Sequence, residues 1–594
     1  MTSKMKGSNP NHHGTRSVLR IFAITMALLI TSVPLAAADD QQSPAGAQSD
    51  ITHYIWLQNQ DYSPGAQHTL YWSYDSGTDY YSKTLFFYLE KADGSGDRQY
   101  LNIMTGQMTD EAIDAFGNSP SDGFLFQVSG MGSINKLPLY TGSAPTEAGL
   151  WHWVAEVRDS TAKALIDSSW AKFVVYDEEV TLGTAAEGEE GQFITEDTTW
   201  EQKKIYRLRG KVFVESGVTL TIEAGTHILG LGSSSLFVAK AGSTVMARGT
   251  RSQPIVFGCD QAIELREPNC WSGVIILGNA ISNNIGGTGI AEGVTAENGT
   301  YGGMDQDDNS GVFTFVRSEY AGFRETTEIE PNSWGFHGIG RGTTIDYIQA
   351  HWGKDDGIEF FGGSANANHM VITGANDDSL DWTDGWDGRV QHLYIAQDDT
   401  VECDEGNESD NNGDGNDFDP HSDPKIWNMT LVGAPLCEGR GLLLKEGTRA
   451  RYYNSIITQS PGVGIQVSDT ATCTEMNSGG MTFEGLTIWN NNGSTMYADQ
   501  FGGDCDVASF MMTQANIITD MDPLLIRPEA GPQPKPFPQA ESHVGMIGYS
   551  ARPTDEGSGD TTAQYHGAFS PHPTGPNRDW IKEWANFIRP NDVE

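Results

Sequence analysis

Positive charge is scarce in this chain. Its 594 residues include 36 lysines and arginines against 79 aspartates and glutamates, which gives a formal net charge of −43 at pH 7. A surface that is so strongly negative repels both the phosphate backbone of nucleic acids and anionic membranes. Nucleic acid is therefore not an expected partner. The composition suits a salty, cation-rich exterior in which counter-ions screen the self-repulsion.

Closely spaced cysteine pairs are also absent. The sequence has no CxxC or CxxCH motif, so neither a zinc ribbon nor an attached haem is expected. An even set of cysteines in an exported chain instead predicts disulfide bonds. Pairing in sequence order would close three local loops, although the sequence alone leaves other pairings open. The six residues are Cys259, Cys270, Cys403, Cys437, Cys473 and Cys505.

Long apolar runs are missing after the N-terminus, so no transmembrane segment is expected. A basic N-terminal stretch without acidic residues leads into the 13-residue run IFAITMALLITSV and then into PLAAADD. This order is typical of a cleaved signal peptide, which we predict over residues 1–38, followed by a polar linker over residues 39–50. We therefore expect an exported protein that is extracellular or at the cell surface, with the periplasm as an alternative.

Helical periodicity is rare, and the first domain has the pattern of short antiparallel strands. Within residues 51–178, the runs HTLYWSY, KTLFFYLEK and GLWHWVAEVRD place apolar side chains at every second position. Such alternation between turn residues predicts a small immunoglobulin-like β-sandwich. The acidic, small-residue stretch that follows predicts a linker and the entry to the next domain over residues 179–205.

From residue 206 the β-rich segments become shorter and are interrupted by glycine. Segments such as TTIDYIQ, HMVITGA and VQHLYIA recur at steps of roughly 20–30 residues, the interval typical of a solenoid. One coil cannot bury its own apolar face, but a stack of coils can. The pattern favours an all-β, right-handed parallel β-helix over residues 206–520, with a β-sandwich as the alternative. Residues 521–594 are expected to pack on the solenoid or to cap it.

Several of these segments resemble a large set of exported bacterial β-helix proteins. The segments GVTLTIEAGT, CWSGVIILGNA, DDGIEFFGG, NMTLVG and YHGAF occur in the order found in that set, and the resemblance covers residues 205–594. It implies a right-handed parallel β-helix and export. It implies no catalytic residues, because these proteins have no established activity. Members often carry a lipid anchor or a sorting tail, and this chain lacks the anchoring cysteine.

Clustered carboxylates recur three times, as DDGIE, DDSLD and DDTVE, beginning at residues 355, 377 and 398. On equivalent strands of adjacent coils, Ile358, Leu380 and Val401 would point inward and the alternate acids outward. Coils about 5 Å apart would make such charges repel by roughly 3 kcal/mol at an effective dielectric of 20. We therefore predict structural calcium, which takes six to eight oxygen ligands, with solvated acids or catalytic acids as alternatives. The predicted ligands are Asp355, Glu359, Asp377, Asp381, Asp398 and Glu402.

A second candidate calcium site lies in the insertion ESDNNGDGNDFDPHSDP. Oxygen-bearing residues occupy positions 1, 3, 5 and 7 of a calcium-loop pattern, with Gly415 at position 6. His421 stands at position 12, where the helix–loop–helix form requires a bidentate glutamate. The pattern therefore predicts a simpler repeat-type calcium loop, against a plain polar loop as the alternative. The predicted ligands are Asp410, Asn412, Asp414 and Asn416.

Aromatic residues near the acidic repeats suggest a ligand. Trp352, Trp386 and Tyr394 are predicted to bind glycan, because sugar rings stack on aromatic faces, with internal packing as the alternative. The favoured function is a non-enzymatic, exported β-helix protein, stabilised by calcium and disulfides, that binds extracellular polysaccharide or another surface component.

Two other functions are kept as alternatives. The first is an enzyme that cleaves polysaccharide. A hydrolase would use a pair of carboxyls on adjacent coils, such as Asp356 with Asp378. A lyase would need a basic residue, for which Lys445 is one candidate. The second alternative is a structural envelope or matrix protein, which would self-associate.

Overall fold

The computed structural model describes most of the chain between residues 52 and 593. The signal peptide predicted over residues 1–38 and the linker over 39–50 lie outside the described residues. Within the described ranges, no helix combines the length and the apolar character needed to cross a membrane. The described residues are 52–75, 83–95, 98–103, 105–110, 112–114, 117, 134–159, 165–183, 191–323, 330–492, 497–499, 505–539, 541–545 and 559–593.

The N-terminal domain consists of two small β-sheets that enclose an apolar core, which includes Trp72, Trp153 and Phe173. Alternation along the strands sends every second side chain into this core, as the sequence predicts. The three-stranded sheet contains Thr52–Leu57, Gln67–Asp75 and Ile134–Ser143 in that order. The six-stranded sheet contains Asp61–Tyr62, Leu165–Val175, Gly149–Asp159, Lys83–Lys91, Gln99–Asn102 and Gln107–Thr109 in that order.

The remainder of the described chain is dominated by a parallel β-helix, which confirms the predicted fold class. Its first sheet has 15 strands, and two of its rows converge on the long strand Gly311–Glu319. The main row is Glu178–Leu182, Lys204–Leu208, His227–Gly230, Ile255–Cys259, Gly311–Glu319, Thr344–His351, Asn366–Thr373, Arg389–Ala396, Lys425–Val432, Ala450–Thr458, Met481–Trp489 and Ala515–Ile518. The second row is Thr198–Trp200, Thr219–Ile222 and Thr244–Arg248.

The second sheet of the β-helix has 11 strands and carries the acidic repeats. Its strands are Gln192–Ile194, Lys211–Val214, Leu236–Ala239, Gly273–Leu277, Trp334–His337, Ile358–Phe361, Leu380–Thr383, Asn407–Ser409, Leu442–Leu444, Ile465–Val467 and Tyr497–Asp499. Inward residues of both sheets form one continuous apolar core, so the coils bury together what none could bury alone. Glu178–Leu182 already pairs with Lys204–Leu208, so the first sheet of the β-helix begins at Glu178, at the boundary between the predicted sandwich and the predicted linker.

The long strands of the first sheet bend at their centres, where one residue in each adopts a positive φ. Phe315, Tyr347, His369 and His392 occupy this position on successive coils with φ between 48° and 60°. Their rings stack at centroid distances of 4.2, 4.2 and 4.9 Å. Asn428 and Asn454 continue the column. The stacked rings form an outer face that is covered by the C-terminal region.

The C-terminal region packs along that outer face. An apolar cluster joins Tyr394 and Val432 of the β-helix to Phe569, Trp580 and Trp584. The short elements of the described chain are the strands Gly289–Ile290, Thr300–Tyr301, Leu525–Arg527 and Lys535–Pro538, the α-helices Ala296–Gly299, Thr470–Ser478, Val507–Met511 and Pro590–Val593, and the 3-10 helices Ile263–Leu265 and His543–Gly545.

Three disulfides join the six cysteines in sequence order: Cys259–Cys270, Cys403–Cys437 and Cys473–Cys505. Each closes a local loop of the solenoid, as the sequence-order pairing requires. Disulfides persist in oxidising compartments, so they indicate a protein that works outside the cytoplasm.

Candidate metal centre

The strand register shows which acids are brought together. Ile358 lies opposite Leu380, and Leu380 lies opposite Asn407, so the third acidic repeat is DEGNE at residues 404–408. The prediction that DDTVE supplies the third repeat, with Val401 pointing inward from an equivalent strand, is wrong. DDTVE follows the strand Arg389–Ala396 of the first sheet and forms the connection to the next coil.

The third position of the repeat is a small residue because the chain of the next coil passes close to it. A Cβ atom on Gly357 would lie 2.3 Å from Ile372 Cγ2, and one on Gly406 would lie 2.5 Å from Leu431 Cδ1. Real Cβ atoms do not approach other heavy atoms this closely, so larger residues would displace the coil. The small residue at the third position therefore follows from the packing of the coils.

Six carboxylates of these coils form what we call the acidic ladder: Asp356, Glu359, Asp378, Asp381, Glu408 and Asp410. One carboxylate oxygen each from Asp356, Glu359 and Asp381 lies within 4.8 Å of the others, and the same holds for Asp378, Asp381 and Glu408. Glu359 and Asp381 lie on the outward face of the sheet, as predicted, yet each is only 8% exposed. The alternative that these acids are solvated is therefore wrong for Glu359 and Asp381, because neighbouring segments bury them.

Part of the ladder caps the backbone of the following coil. Asp356 Oδ1 accepts a hydrogen bond from the N–H of Asp378 at 3.0 Å, and Asp378 Oδ1 accepts one from the N–H of Glu405 at 2.7 Å. Asp381 Oδ1 accepts from the N–H of Trp382, and Glu359 accepts from Asn332 Nδ2, both at 2.5 Å. These bonds hold the carboxylates in place but supply no positive charge.

Cations contact the ladder only at its end in the described part of the chain. Lys445 Nζ lies 2.9 Å from Glu408 and 3.4 Å from Asp410. Each pair of unit charges at about 4.8 Å repels by roughly 3 kcal/mol at an effective dielectric of 20, so one lysine does not balance the set. Lys445 therefore forms ion pairs with acids at this end of the ladder.

Burial and mutual repulsion raise the pKa values of these acids. The pKa of Asp356 rises well above its ordinary value through burial and the charge of Asp355, and that of Glu359 rises through burial and Asp381. Burial and Glu408 raise the pKa of Asp378, and the same two causes raise the pKa of Asp381 to about 7. Such carboxyls must bind either protons or a cation in the folded protein.

Two buried oxygen atoms at the ladder lack a hydrogen-bond donor among the described residues. They are Asn332 Oδ1, whose amide already contacts Glu359, and Asp410 Oδ1, beside Lys445. An unsatisfied buried acceptor costs roughly 1–3 kcal/mol. Carboxylate and amide oxygens are the ligands that calcium prefers, so the donor set fits a hard divalent cation.

A second group, which we call the outer triad, consists of Glu330, Asp355 and Asp377. One carboxylate oxygen from each lies within 4.8 Å of the other two. Glu330 and Asp377 are half-buried, so this triad is closer to solvent than the ladder. The sequence predicted Asp355 and Asp377. Glu330 was missed because it precedes the coil that contains the first repeat.

Asp398 and Glu402, the other predicted ligands of the repeats, do not join either group. Asp398 is 2% exposed and forms an ion pair with Arg589 of the C-terminal region at 2.8 Å. Although burial opposes its ionisation, Arg589 and the hydrogen bonds from Thr400 keep the pKa of Asp398 below its ordinary value. Glu402 is exposed and pairs with Lys354 at 2.6 Å. The prediction that these two residues bind calcium with the repeats is therefore corrected.

The predicted calcium loop does not gather its ligands. Asp410 turns toward Lys445 and the ladder, whereas Asn412 donates to Asn283 Oδ1 at 2.9 Å and Asp384 Oδ1 at 3.1 Å. The side-chain oxygen of Asn412 accepts from the N–H of Asp414, which is itself exposed. The backbone carbonyl of Asn416 accepts a hydrogen bond from Asn411 Nδ2 at 3.2 Å. Of the four predicted ligands, only Asp410 contributes to a candidate metal centre.

The three predicted sugar-stacking residues are buried, which corrects the prediction that they present ring faces. Trp386 is 0% exposed and stacks on Phe360 at 4.2 Å inside the solenoid. Tyr394 is 0% exposed beneath the C-terminal region, where its hydroxyl donates to Pro528 O. Trp352 is 4% exposed and packs against Tyr320.

Comparison with known proteins agrees with the fold. A family model described as a pectate-lyase-like β-helix domain matches residues 191–521, which is more than half of the chain. The chain therefore belongs to the pectate-lyase-like β-helix domain family. No curated protein matches its sequence significantly.

Two solved structures are similar at low identity. One is the catalytic unit of a thermostable GH87 α-1,3-glucanase from Streptomyces thermodiastaticus strain HF3-3, with 9% identity, a TM-score of 0.28, and coverage of 80% of this chain and 99% of that chain. The other is the enzymatically active domain of tailspike protein 2 from bacteriophage CBA120, with 11% identity, a TM-score of 0.19, and coverage of 60% and 48%. At these scores neither likeness carries a functional argument.

Proposed function

We propose that this is an exported β-helix protein that binds calcium in its acidic ladder and binds an extracellular glycan without cleaving it. The observation that carries the calcium proposal is the ladder itself, in which six carboxylates lie on successive coils and only Glu408 and Asp410 contact a lysine among the described residues. The disulfides support an extracellular or cell-surface location, with the periplasm as the alternative.

A divalent cation explains the ladder better than protons do. Protonation would remove the repulsion, but each protonated carboxyl would then need an acceptor for its proton. A calcium ion removes the repulsion of several carboxylates at once and accepts irregular geometry. It would also supply a partner for Asn332 Oδ1 and Asp410 Oδ1, the two buried acceptors without donors among the described residues. The groups around Asp381 and the outer triad are the two expected positions.

Support for a glycan comes from the family, since it is described by its likeness to a protein that acts on pectate, a polysaccharide. Support for binding without cleavage comes from the ladder. Asp356 and Asp378, the acid pair of the hydrolase alternative, are buried and engaged by backbone N–H groups, so a substrate has no access to them. Lys445, the candidate lyase base, has a pKa raised by Asp410 and Glu408 against the effect of burial, so it stays protonated.

One observation favours a polysaccharide-cleaving enzyme as a second candidate. The outer triad places three carboxylates together, two of them half-buried, on adjacent coils. Carboxyl groups in such proximity can divide the roles of acid and base. If this candidate is correct, Asp377→Asn abolishes the release of reducing ends or unsaturated ends from a polysaccharide panel and leaves binding intact.

Thermal unfolding of the mature protein tests the calcium proposal. Calcium at a hundredfold excess over its Kd should stabilise the fold by about 2.7 kcal/mol and raise Tm relative to chelator. Matched magnesium should do so less, because it needs stricter octahedral geometry. Asp381→Asn should remove most of the gain, since Asp381 belongs to both inner groups.

Glu402→Gln is the matched control for that experiment. It removes one carboxylate charge from the originally predicted repeat, but its side chain is exposed and lies outside both groups. The control should keep the full calcium response. Identical melting curves in calcium and chelator for the wild type would overturn the calcium proposal.

A further inference from the structure

The sandwich, the β-helix and the C-terminal region meet around a cavity of about 250 Å3. Its walls come from the strands Thr52–Leu57 and Leu165–Val175, from residues 533–537, and from residues 579–588, with Arg317 of the β-helix at its base. Asn59 and Asp579 line it and are exposed, so the cavity opens to solvent. None of its residues belongs to the acidic ladder or the outer triad.

The sandwich wall of this cavity is aromatic. Ile55 and Leu57 face the sandwich core, whereas the alternate residues Tyr54 and Trp56 face the cavity side. Their rings lie 5.4 Å apart. On the other strand, Trp170 is half-buried and also lines the cavity. Rings on the outward face of a sandwich are normally covered by packing or by a ligand.

Polar groups with fixed positions complete the lining. Gln60 Nε2 contacts Glu319 at 3.4 Å, while Gln60 Oε1 is buried and has no donor among the described residues. Gln533 Oε1 accepts a hydrogen bond from the N–H of His53 at 3.2 Å, and Gln533 Nε2 donates one to the carbonyl of Ser168 at 3.3 Å. Aromatic faces combined with a few placed polar groups are typical of a small-molecule site.

The lysines that line the cavity already have partners. Lys535 and Lys582 both contact Asp167, at 3.0 and 3.7 Å. Lys172 donates to the carbonyls of Arg251 and Ser252 at 3.2 and 2.5 Å. Because these cations have partners, the site does not favour an acidic sugar. An uncharged ligand with hydroxyl donors and a flat apolar face matches it better.

We propose that this junction cavity binds one or two neutral sugar rings of an extracellular glycan. A ring would stack on the Trp170 side of the wall, and one of its hydroxyls would donate to Gln60 Oε1. The volume of about 250 Å3 lies slightly below the ~300–1,000 Å3 range of ligand pockets, which suits a ligand as small as one or two rings. This inference rests on the glycan half of the proposed function and places its site away from the calcium.

Isothermal titration of the mature protein, with and without chelator, tests the inference. The probes are neutral hexasaccharides of α-glucan, β-glucan, mannan and xylan, together with an oligogalacturonate. A neutral probe should bind equally well in calcium and in chelator. Trp170→Ala should raise the Kd of this probe about tenfold or more. Gln60→Leu should also raise the Kd, although it removes no aromatic ring.

Trp151→Ala is the matched control, because Trp151 is also half-buried on the sandwich and has a lysine 5.7 Å from its ring, as Trp170 has at 5.5 Å. Trp151 lies outside the cavity, so this variant should bind the neutral probe as the wild type does. Neutral-probe binding that both cavity variants retain would overturn the cavity site alone. Binding of oligogalacturonate only would overturn the neutral ligand. Binding of no probe would overturn both this inference and the glycan half of the proposed function, while the calcium response is measured separately.

Discussion

Asp356 on one coil accepts a hydrogen bond at 3.0 Å from the backbone N–H of Asp378 on the next coil. Asp378 repeats the contact with Glu405 at 2.7 Å. The same side chains therefore join successive coils and concentrate negative charge. As neutral groups they would still be acceptors, so the charge is not needed for the vertical bonds. This separation of the two roles makes the ladder testable with asparagine, which keeps an acceptor oxygen and removes the charge.

Asp378→Asn and Asp378→Ala should behave differently in chelator. Asparagine keeps the bond to the N–H of Glu405 and removes a repelling charge, so the free energy of unfolding should equal or exceed that of the wild type. Alanine leaves a buried N–H without an acceptor and should cost about 1–3 kcal/mol. Both variants should respond less to calcium. Urea unfolding in chelator and in calcium measures this, and an asparagine variant as unstable as alanine in chelator would contradict it.

The sequence predicted the fold because strand alternation and glycine-interrupted steps are local features that the solenoid repeats. It also predicted that Glu359 and Asp381 share the outward face, since parity along a strand does not depend on distant contacts. The prediction of DDTVE as the third repeat was wrong because it rested on similar residues and not on the equivalent position in the coil. DEGNE at residues 404–408 has the required acid, acid, small, x, acid pattern, so the signal was present.

Burial was the feature that local sequence could not supply. Asp398 and Tyr394 were expected at the surface, but the C-terminal region covers both through Arg589 and Pro528. Asn332 and Glu330 lie on the coil before the first repeat, where no acidic pattern marks them. Contacts between segments separated by up to about two hundred residues decide these positions, and a single sequence does not reveal them.

Asp398 should stabilise the docking of the C-terminal region. Asp398→Asn breaks its ion pair with Arg589 in a site where Asp398 is 2% exposed, so we expect a loss of about 2 kcal/mol, reduced because Arg589 also pairs with Asp592. Because the pKa of Asp398 is lowered in the folded state, this contribution is present above its unfolded pKa and is lost as the pH falls.

Asp399→Asn is the control for Asp398→Asn, since it makes the same change at the adjacent, exposed position. It should change the free energy of unfolding by less than about 0.5 kcal/mol. Limited proteolysis, followed at the C-terminal region, should show earlier cleavage for Asp398→Asn only. Equal stability of the two variants would show that the ion pair does not hold this region.

His337 should contribute to acid destabilisation. Its ring stacks on Phe361 at 4.0 Å and is 3% exposed, and burial lowers its pKa from 6.5 to about 3. Below pH 6.5 the unfolded chain binds a proton that the folded protein excludes, so stability falls as the pH drops toward 3. At pH 4.5 the difference amounts to about 3 kcal/mol relative to neutral pH, since each pH unit contributes about 1.36 kcal/mol.

His337→Phe removes this titration while it keeps a ring of similar size. Urea unfolding at pH 7.5 and 4.5 should therefore show a smaller loss of stability for the variant than for the wild type, by about 3 kcal/mol. The exposed His572→Phe is the control and should keep the wild-type pH dependence. Other buried histidines, such as His227, still titrate in the variant, so part of the acid sensitivity persists. Parallel pH profiles for wild type and His337→Phe would mean that His337 becomes protonated without leaving its site.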